Sequence, residues 1–207
     1  ENYQKNAIVI RSRALQGFVD NIKTRQESLE ELAALGIDLE AACYRVAVFD
    51  LDLYSDGSQL TAEKRQESAL MSFVLFNISD EIISKEKAGV AYQAGNNKVG
   101  ALFMGNRTRE FEHKIMEICR TIQDKLKELM SLDISIGVGS WARTQQELRV
   151  SHELAEKAIE YRYLLGGSLL IDMEEQPEEK NLSIKAYVEK LPAALKAGKK
   201  ENAEHIL

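Results

Sequence analysis

Proline is almost missing from this chain: Pro177 and Pro192 are the only two, both near the C-terminal end. Everything before Pro177 is therefore free to build long regular elements. Cysteine is equally scarce. Cys43 and Cys119 lie far apart with no metal-type spacing, which excludes a disulfide scaffold and suits two reduced, buried thiols. No apolar run reaches the roughly 18 residues needed to span a bilayer, and no signal-peptide pattern opens the chain. A cytoplasmic location without membrane contact is the expectation. A basic excess is missing too: 27 Lys and Arg face 33 Asp and Glu, a net charge of −6. This argues against gripping nucleic acid by charge, because phosphate neutralisation needs clustered cations. What is present is a hydrophobic content of 44%, enough to fill a core and to exclude wholesale disorder. A length of 207 residues suits one domain with appendages or two small ones. The chain opens on Glu1 within a helical pattern and is expected to be a piece of a longer protein.

From about Asn2 to Leu35 the pattern predicts one long helix, ended by Gly36 as a left-handed cap. Ile8, Leu15, Ile22 and Leu29 recur every seventh residue, with Phe18 and Leu32 three places after two of them. Arg11 and Arg25 hold the other two such places, so the seam is half filled. Two accounts fit: a dimerising helix using Ile8, Leu15, Phe18, Ile22, Leu29 and Leu32, or a helix packed on its own domain. Tyr44–Leu53 reads as a strand, and about 59–83 as a helix. Ala88–Gln93 and Val99–Met104 read as strands joined by the turn Ala94–Lys98. Thr108–Met130 is an amphipathic helix and Asp133–Gly139 a strand. Thr144 and Glu147 form a capping box for a helix running to about Leu165, which Gly166 and Gly167 stop. Ser168–Ile171 is a last short strand. After the acidic stretch Glu174–Glu179, read as a solvated linker, a helix is expected over about Leu182–Ala197 and another after Gly198. Lys196, Lys199 and Lys200 read as complements to a helix dipole. The fold class is α+β, with a central mixed, partly antiparallel sheet flanked by helices.

Four pieces in this order resemble the GGDEF family of diguanylate cyclases: Val48-Phe-Asp-Leu-Asp52, Ala94-Gly-Asn-Asn-Lys-Val-Gly-Ala-Leu-Phe103, Ser135-Ile-Gly-Val138, and Ala155-Glu-Lys-Ala-Ile159 leading to Gly166. A closer likeness is the degenerate GGDEF-like middle domain of AraC-type two-component response regulators. It rests on Tyr44-Arg-Val-Ala-Val, Tyr161-Arg-Tyr163, the long N-terminal helix and the tail after Pro177. The resemblance implies a nucleotide-cyclase-like sandwich over 43–172. A linker helix over 1–36 would precede it and connector helices over 173–207 would follow. It implies as partners a receiver before the segment and a DNA-binding helix-turn-helix module beyond residue 207, with self-association through the N-terminal helix.

A nucleotide cyclase needs carboxylates holding a divalent cation against the triphosphate, and basic groups on the phosphates. The resemblance assigns the metal-binding aspartate to Asp50. Asp50 and Asp52 flank Leu51 and are expected to diverge, so that only one serves a given site. In the hairpin, Gly95-Asn96-Asn97-Lys98-Val99 stands where the family has Gly-Gly-Asp-Glu-Phe, so a cation replaces the second metal carboxylate. The family's phosphate-facing Lys and Arg fall at Tyr163 and Gly167, and its Lys and Asn after Asp-x-Asp at Ser55 and Ser58. The Arg and Asp of its inhibitory product site fall at Glu86 and Gly89. No catalytic residue, cofactor or metal is therefore expected. Asp50, Asp52, Gly95, Asn96, Asn97 and Lys98 would border a vestigial cleft. Non-catalytic coupling between receiver and DNA-binding module is the first functional expectation. Ligand sensing without turnover, with Lys98 meeting an anion, is the second. The three histidines, His113, His152 and His205, show no ligand spacing, and His152 reads as half-buried and satisfied. Gly137 and Gly139 read as close-packing positions, and Ser140 lacks a base that would make it a nucleophile.

Overall fold

The structure of the protein, a computed structural model, describes residues 2–52, 62–95 and 97–174. The expected connector helices after Glu174, with His205, lie outside the described residues, as do Ser55, Ser58 and Asn96. The chain divides after Met173.

The N-terminal segment is not one helix. It forms α1 (Asn2–Val19) and α2 (Arg25–Ala34), separated by a tight turn. Asn21 takes the left-handed conformation (φ 56°), and the Ile22 amide donates back to the Gly17 carbonyl at 3.0 Å, closing α1 as a glycine usually would. Thr24 then restarts the helix with a capping box to Glu27. Gly36 (φ 72°) ends α2 as expected, with Ile37 N–H bonded to Leu32 O at 2.9 Å.

The remaining elements are β1 (Cys43–Leu51), α3 (Ala62–Lys85), β2 (Gly89–Gln93), β3 (Lys98–Gly105), α4 (Arg109–Met130), β4 (Ile134–Ala142), α5 (Gln145–Glu160), α6 (Arg162–Leu165) and β5 (Leu170–Asp172). The sheet order is β2-β3-β1-β4-β5. β1 is central and antiparallel to both β3 and β4, β2 pairs antiparallel with β3, and β5 joins β4 in parallel. This is the expected α+β fold with a mixed, five-stranded sheet. The capping box at Thr144 and Glu147 opens α5 as the sequence predicts.

Every residue of β1 is buried, so the strand feeds two cores by its period of two. Cys43, Ala47, Phe49 and Leu51 join α3 and α4 on one face. Tyr44, Val46 and Val48 join α1, α2 and α5 on the other. Cys43 and Cys119 are free thiols in the first core, and burial pushes the Cys119 thiol up to about 12.

Leu15, Phe18 and Leu32 belong to the second core, at 1%, 0% and 0% exposure. Leu29 is partly buried against the same core, and Ile8 packs against the other. Ile22 sits in the turn, 72% exposed. The seven-residue repeat is therefore no continuous seam: three of its six members are spent inside the chain and one lies off the helix. Residues 1–36 are not a free linker, because they fall in the same compact unit as the sheet. Ser12 Oγ accepts the Gln93 N–H of edge strand β2 at 3.0 Å. The α1–α2 turn is tied to α5 by the His152 Nδ1 contact with Asp20 Oδ1 at 2.9 Å. Gln145 adds bonds to Phe18 O and Lys23 O at 3.1 and 3.2 Å. His152 is thus mostly buried and partnered at Nδ1, while its Nε2 has no partner.

Helix α5 lies against β4 because β4 offers no side chain there. A Cβ on Gly137 would come within 2.0 Å of Ala155 O, and one on Gly139 within 1.9 Å of Ser151 O. Ser151 also serves the bulge where the register of β1 on β4 shifts between Arg45 and Ala47. Its hydroxyl accepts from Val46 N–H at 3.1 Å and donates to Ser140 O at 2.6 Å. This close seat fixes where the end of α5, and α6 after it, meet the end of β1.

Candidate functional site

Asp50 is the penultimate residue of β1 and Asp52 follows the strand's end. They do not diverge. Positions i and i+2 of an extended chain share a face, and both carboxylates reach toward α6. There Arg162, the first residue of α6, bridges them: its two terminal nitrogens lie 3.1 Å from Asp50 Oδ2 and 3.2 Å from Asp52 Oδ1. All three side chains are withdrawn from solvent, at 7% and 6% exposure for the aspartates and 19% for the arginine. A charge so enclosed persists only with a close partner. Burial pushes the Asp50 carboxyl above the usual aspartate range, and the charges of Arg162 and Lys98 pull it part of the way back.

Asp52 carries more than the arginine. Its Oδ2 accepts from Ser135 Oγ at 2.9 Å and from the Ser168 backbone N–H at 2.6 Å. Ser135 stands opposite Asp50 on β4, and its hydroxyl also lies 3.4 Å from Leu169 N. Gly167 is pressed on the same carboxylate, since a Cβ there would stand 2.8 Å from Asp52 Oδ2. The position matched to a phosphate-facing arginine is thus a glycine packed on an aspartate. Tyr163, matched to the lysine, is 74% exposed and stacks beside Arg162, with guanidinium carbon to ring centroid at 5.2 Å.

The hairpin supplies the other side. Lys98 begins β3 directly across from Asp50, but its Nζ pairs with Glu156 of α5 at 2.8 Å. Asn97 O accepts from Leu51 N–H at 3.3 Å, and Asn97 Oδ1 accepts from Ser68 Oγ at 2.5 Å. Gly95 holds the turn at φ 146°. Of the six residues expected to border a cleft, Asp50, Asp52 and Lys98 gather at one end of the sheet. Gly95 and Asn97 form the adjoining turn.

Two participants escaped the sequence reading, Arg162 and Glu156. Tyr161-Arg-Tyr163 contributes there only to the resemblance. The available signal was chemical: an Asp-x-Asp whose partner carboxylate has become lysine needs a new cation nearby. An arginine at the end of the helix leading to Gly166 is the natural source.

The arrangement does not fit a divalent cation. One oxygen of each carboxylate is taken by the guanidinium, the other oxygen of Asp52 by a hydroxyl and an amide, and the adjoining strand contributes an ammonium. Among the described residues, no group of three or more His, Cys, Asp or Glu side chains is disposed to hold a metal. Gly89 pairs with Phe103, at the other end of the hairpin from Lys98, and Glu86 pairs with Lys114 at 3.3 Å. A surface groove of about 470 Å³ between α3 and α4, lined by Glu86, Lys114, Glu117 and Arg120 among others, includes none of the cleft residues. No helix among the described residues is long and apolar enough to cross a membrane.

A family model described as a GGDEF-like domain matches residues 21–161. No curated protein matches the chain.

Proposed function

The chain belongs to the GGDEF-like domain family, and from that membership we propose that it is a non-catalytic, signal-coupling domain of a bacterial two-component response regulator that controls transcription. It would stand in the cytoplasm between a receiver and an AraC-type helix-turn-helix module, with DNA contacted only beyond residue 207. The supporting observation is the bridge from Arg162 to Asp50 and Asp52, with Lys98 across from Asp50. Cyclase chemistry needs metal on these carboxylates to neutralise a triphosphate and sharpen the attacking hydroxyl. A guanidinium neutralises the carboxylates but offers no coordination sites.

Coupling is the better use of the parts. Helix α1, nearest the proposed receiver, packs on β2 and, through the Asp20–His152 and Gln145 bonds, bears on α5. Helix α5 leads into α6 and β5, the last described strand before the C-terminal segment. Self-association through the N-terminal segment is retained as part of the proposal. It would use side chains that α1 leaves exposed, such as Val9 and Ile10, rather than Leu15 and Phe18.

The test is incubation with GTP and magnesium or manganese, followed by chromatography for pyrophosphate and cyclic dinucleotide. No product is expected, and turnover would overturn the proposal. Calorimetry with GTP, ATP and cyclic dinucleotides addresses ligand sensing. Silence across the panel favours coupling alone, whereas binding abolished by Lys98→Ala favours a sensor. The Lys98–Glu156 pair supports silence, since an entering anion must displace a carboxylate already seated at 2.8 Å.

A further inference from the structure

We propose that Arg162 is a built-in cation standing in place of a divalent metal between Asp50 and Asp52, and that through Asp52 it holds the strap 166–169, and β5 with it, closed against the end of β1. The inference rests on the coupling reading above and adds the device by which the cleft would act.

Three observations carry it. First, two enclosed carboxylates on one face repel each other unless a positive charge lies between them, and the Arg162 fork supplies one nitrogen to each. Second, the arginine is placed by the helix that precedes it. Helix α5 is seated on Gly137 and Gly139 with no room for a side chain, and α6 follows it within two residues. Third, the neutralised Asp52 is the anchor of the strap. Its Oδ2 receives the Ser168 N–H, and the strap is bent through left-handed backbone at Gly166 (φ 90°) and at Ser168 (φ 61°), a conformation that L residues resist. Strand β5 that follows has only three residues on an edge of the sheet, so it depends on fastenings at its ends. The strap supplies one and the Arg45–Asp172 pair the other.

Arg162 also lies one residue beyond the stretch that the family model matches. The clamp thus joins residues inside the matched stretch, Asp50 and Asp52, to one outside it. Its closure determines whether β5 is held in the sheet. Arg162 is a positioning residue here, not a catalytic one.

The experiment uses the full 207-residue chain with manganese as probe. Electron paramagnetic resonance of wild type is expected to show the free aquo-ion signal undiminished. In Arg162→Ala, hydrogen exchange at the amides of 166–170 should accelerate by at least about tenfold. Manganese should then bind, slow that exchange again and raise Tm by roughly 5–10 °C at a hundredfold excess over Kd. A purely structural arginine would give the loss without the metal rescue. Should Arg162→Ala fail to fold, Arg162→Lys keeps the charge but loses the fork, and its strap is expected to exchange faster with manganese still excluded. Stoichiometric manganese binding by wild type that Asp50→Asn abolishes would overturn the inference. So would native-like strap exchange in either arginine variant, or a folded Arg162→Ala that ignores manganese. Turnover of GTP by wild type would sink the coupling reading itself. An inert wild type whose Arg162→Ala variant ignores the metal sinks only the clamp.

Discussion

Arg45 shows how far a single charged side chain can be drawn into this core. It is 1% exposed, its Nε donates to Gly139 O at 2.7 Å, its terminal nitrogen pairs with Asp172, and its guanidinium faces the Trp141 ring at 5.6 Å. Breaking a buried pair by removing one partner leaves an uncompensated charge, which costs about 3–5 kcal/mol. Arg45→Met or Asp172→Asn alone should therefore lower unfolding free energy by that amount. The double variant Arg45→Met/Asp172→Leu should recover most of it, because apolar groups need no partner. Urea unfolding of the three variants checks this, and two single variants within about 1 kcal/mol of wild type would refute it. Residue-scale parity also explains why the two aspartates converge on Arg162 instead of diverging. Asp50 and Asp52 differ by two, and a period of two returns the chain to the same face, so a single arginine can reach both.

At the scale of elements, the N-terminal helix shows why a repeat is weaker than a cap. The seven-residue spacing suggests continuity, yet Asn21 and the Thr24/Glu27 box are stop and start signals written in short-range hydrogen bonds. Those local terms win because Leu15 and Phe18 before the turn, and Leu32 after it, all reach one core only if the chain bends. Ile22→Asp should then change stability by less than about 0.5 kcal/mol, whereas Leu15→Asp, which buries a charge, should cost about 4 kcal/mol or more. Equal effects of the two would restore the continuous helix. The caps carry a pH signature. Hydrogen bonds from Arg143 N–H and Thr144 N–H hold the Glu147 carboxyl below its ordinary 4.5, and the Thr24 hydroxyl and amide do the same for Glu27. A depressed folded-state pKa stabilises above the unfolded value and loses that stabilisation as pH falls through the folded value. The gap between wild type and Glu147→Gln should therefore be full at neutral pH and close in the range below 4.5. Thr144→Ala should cost about 1 kcal/mol at neutral pH, and the part of that cost carried by its hydroxyl's contact with the Glu147 carboxylate should fade over the same range.

For the whole molecule, the order of strands and helices was legible because each element carries its own period and punctuation: the alternation of β1, the amphipathic stripe of α4, the box at Thr144. The Asp50–Lys98 end of the site was legible for the same local reason, as motifs lie on contiguous residues. What stayed hidden was long-range. Arg162 meets Asp50 because α5 is drawn onto Gly137 and Gly139, and α1 belongs to the domain because it packs on β2 and the second core while the α1–α2 turn docks on α5. The family match begins at Asn21 and omits α1, yet Leu15, Phe18 and Val19 sit at 1%, 0% and 0% exposure against β1, β2 and β3 side chains such as Val46, Tyr92 and Leu102. At about 1.5–3 kcal/mol for each large apolar side chain buried, those three contribute roughly 5–9 kcal/mol. A whole domain commonly has about 5–15 kcal/mol of stability. A chain starting at Asn21 should therefore fail to fold cooperatively, binding a hydrophobic dye and unfolding in urea without a sharp transition, while the full chain unfolds in one step. A fragment over 43–172 should fare worse, since it also loses Leu32, Ile37 and Leu39. If the chain from Asn21 keeps a sigmoidal transition at the midpoint of the full chain, α1 is an appendage after all. The packing of Leu15 and Phe18 would then contribute nothing to the fold, and a path for signal from α1 to α5 would have no mechanical basis.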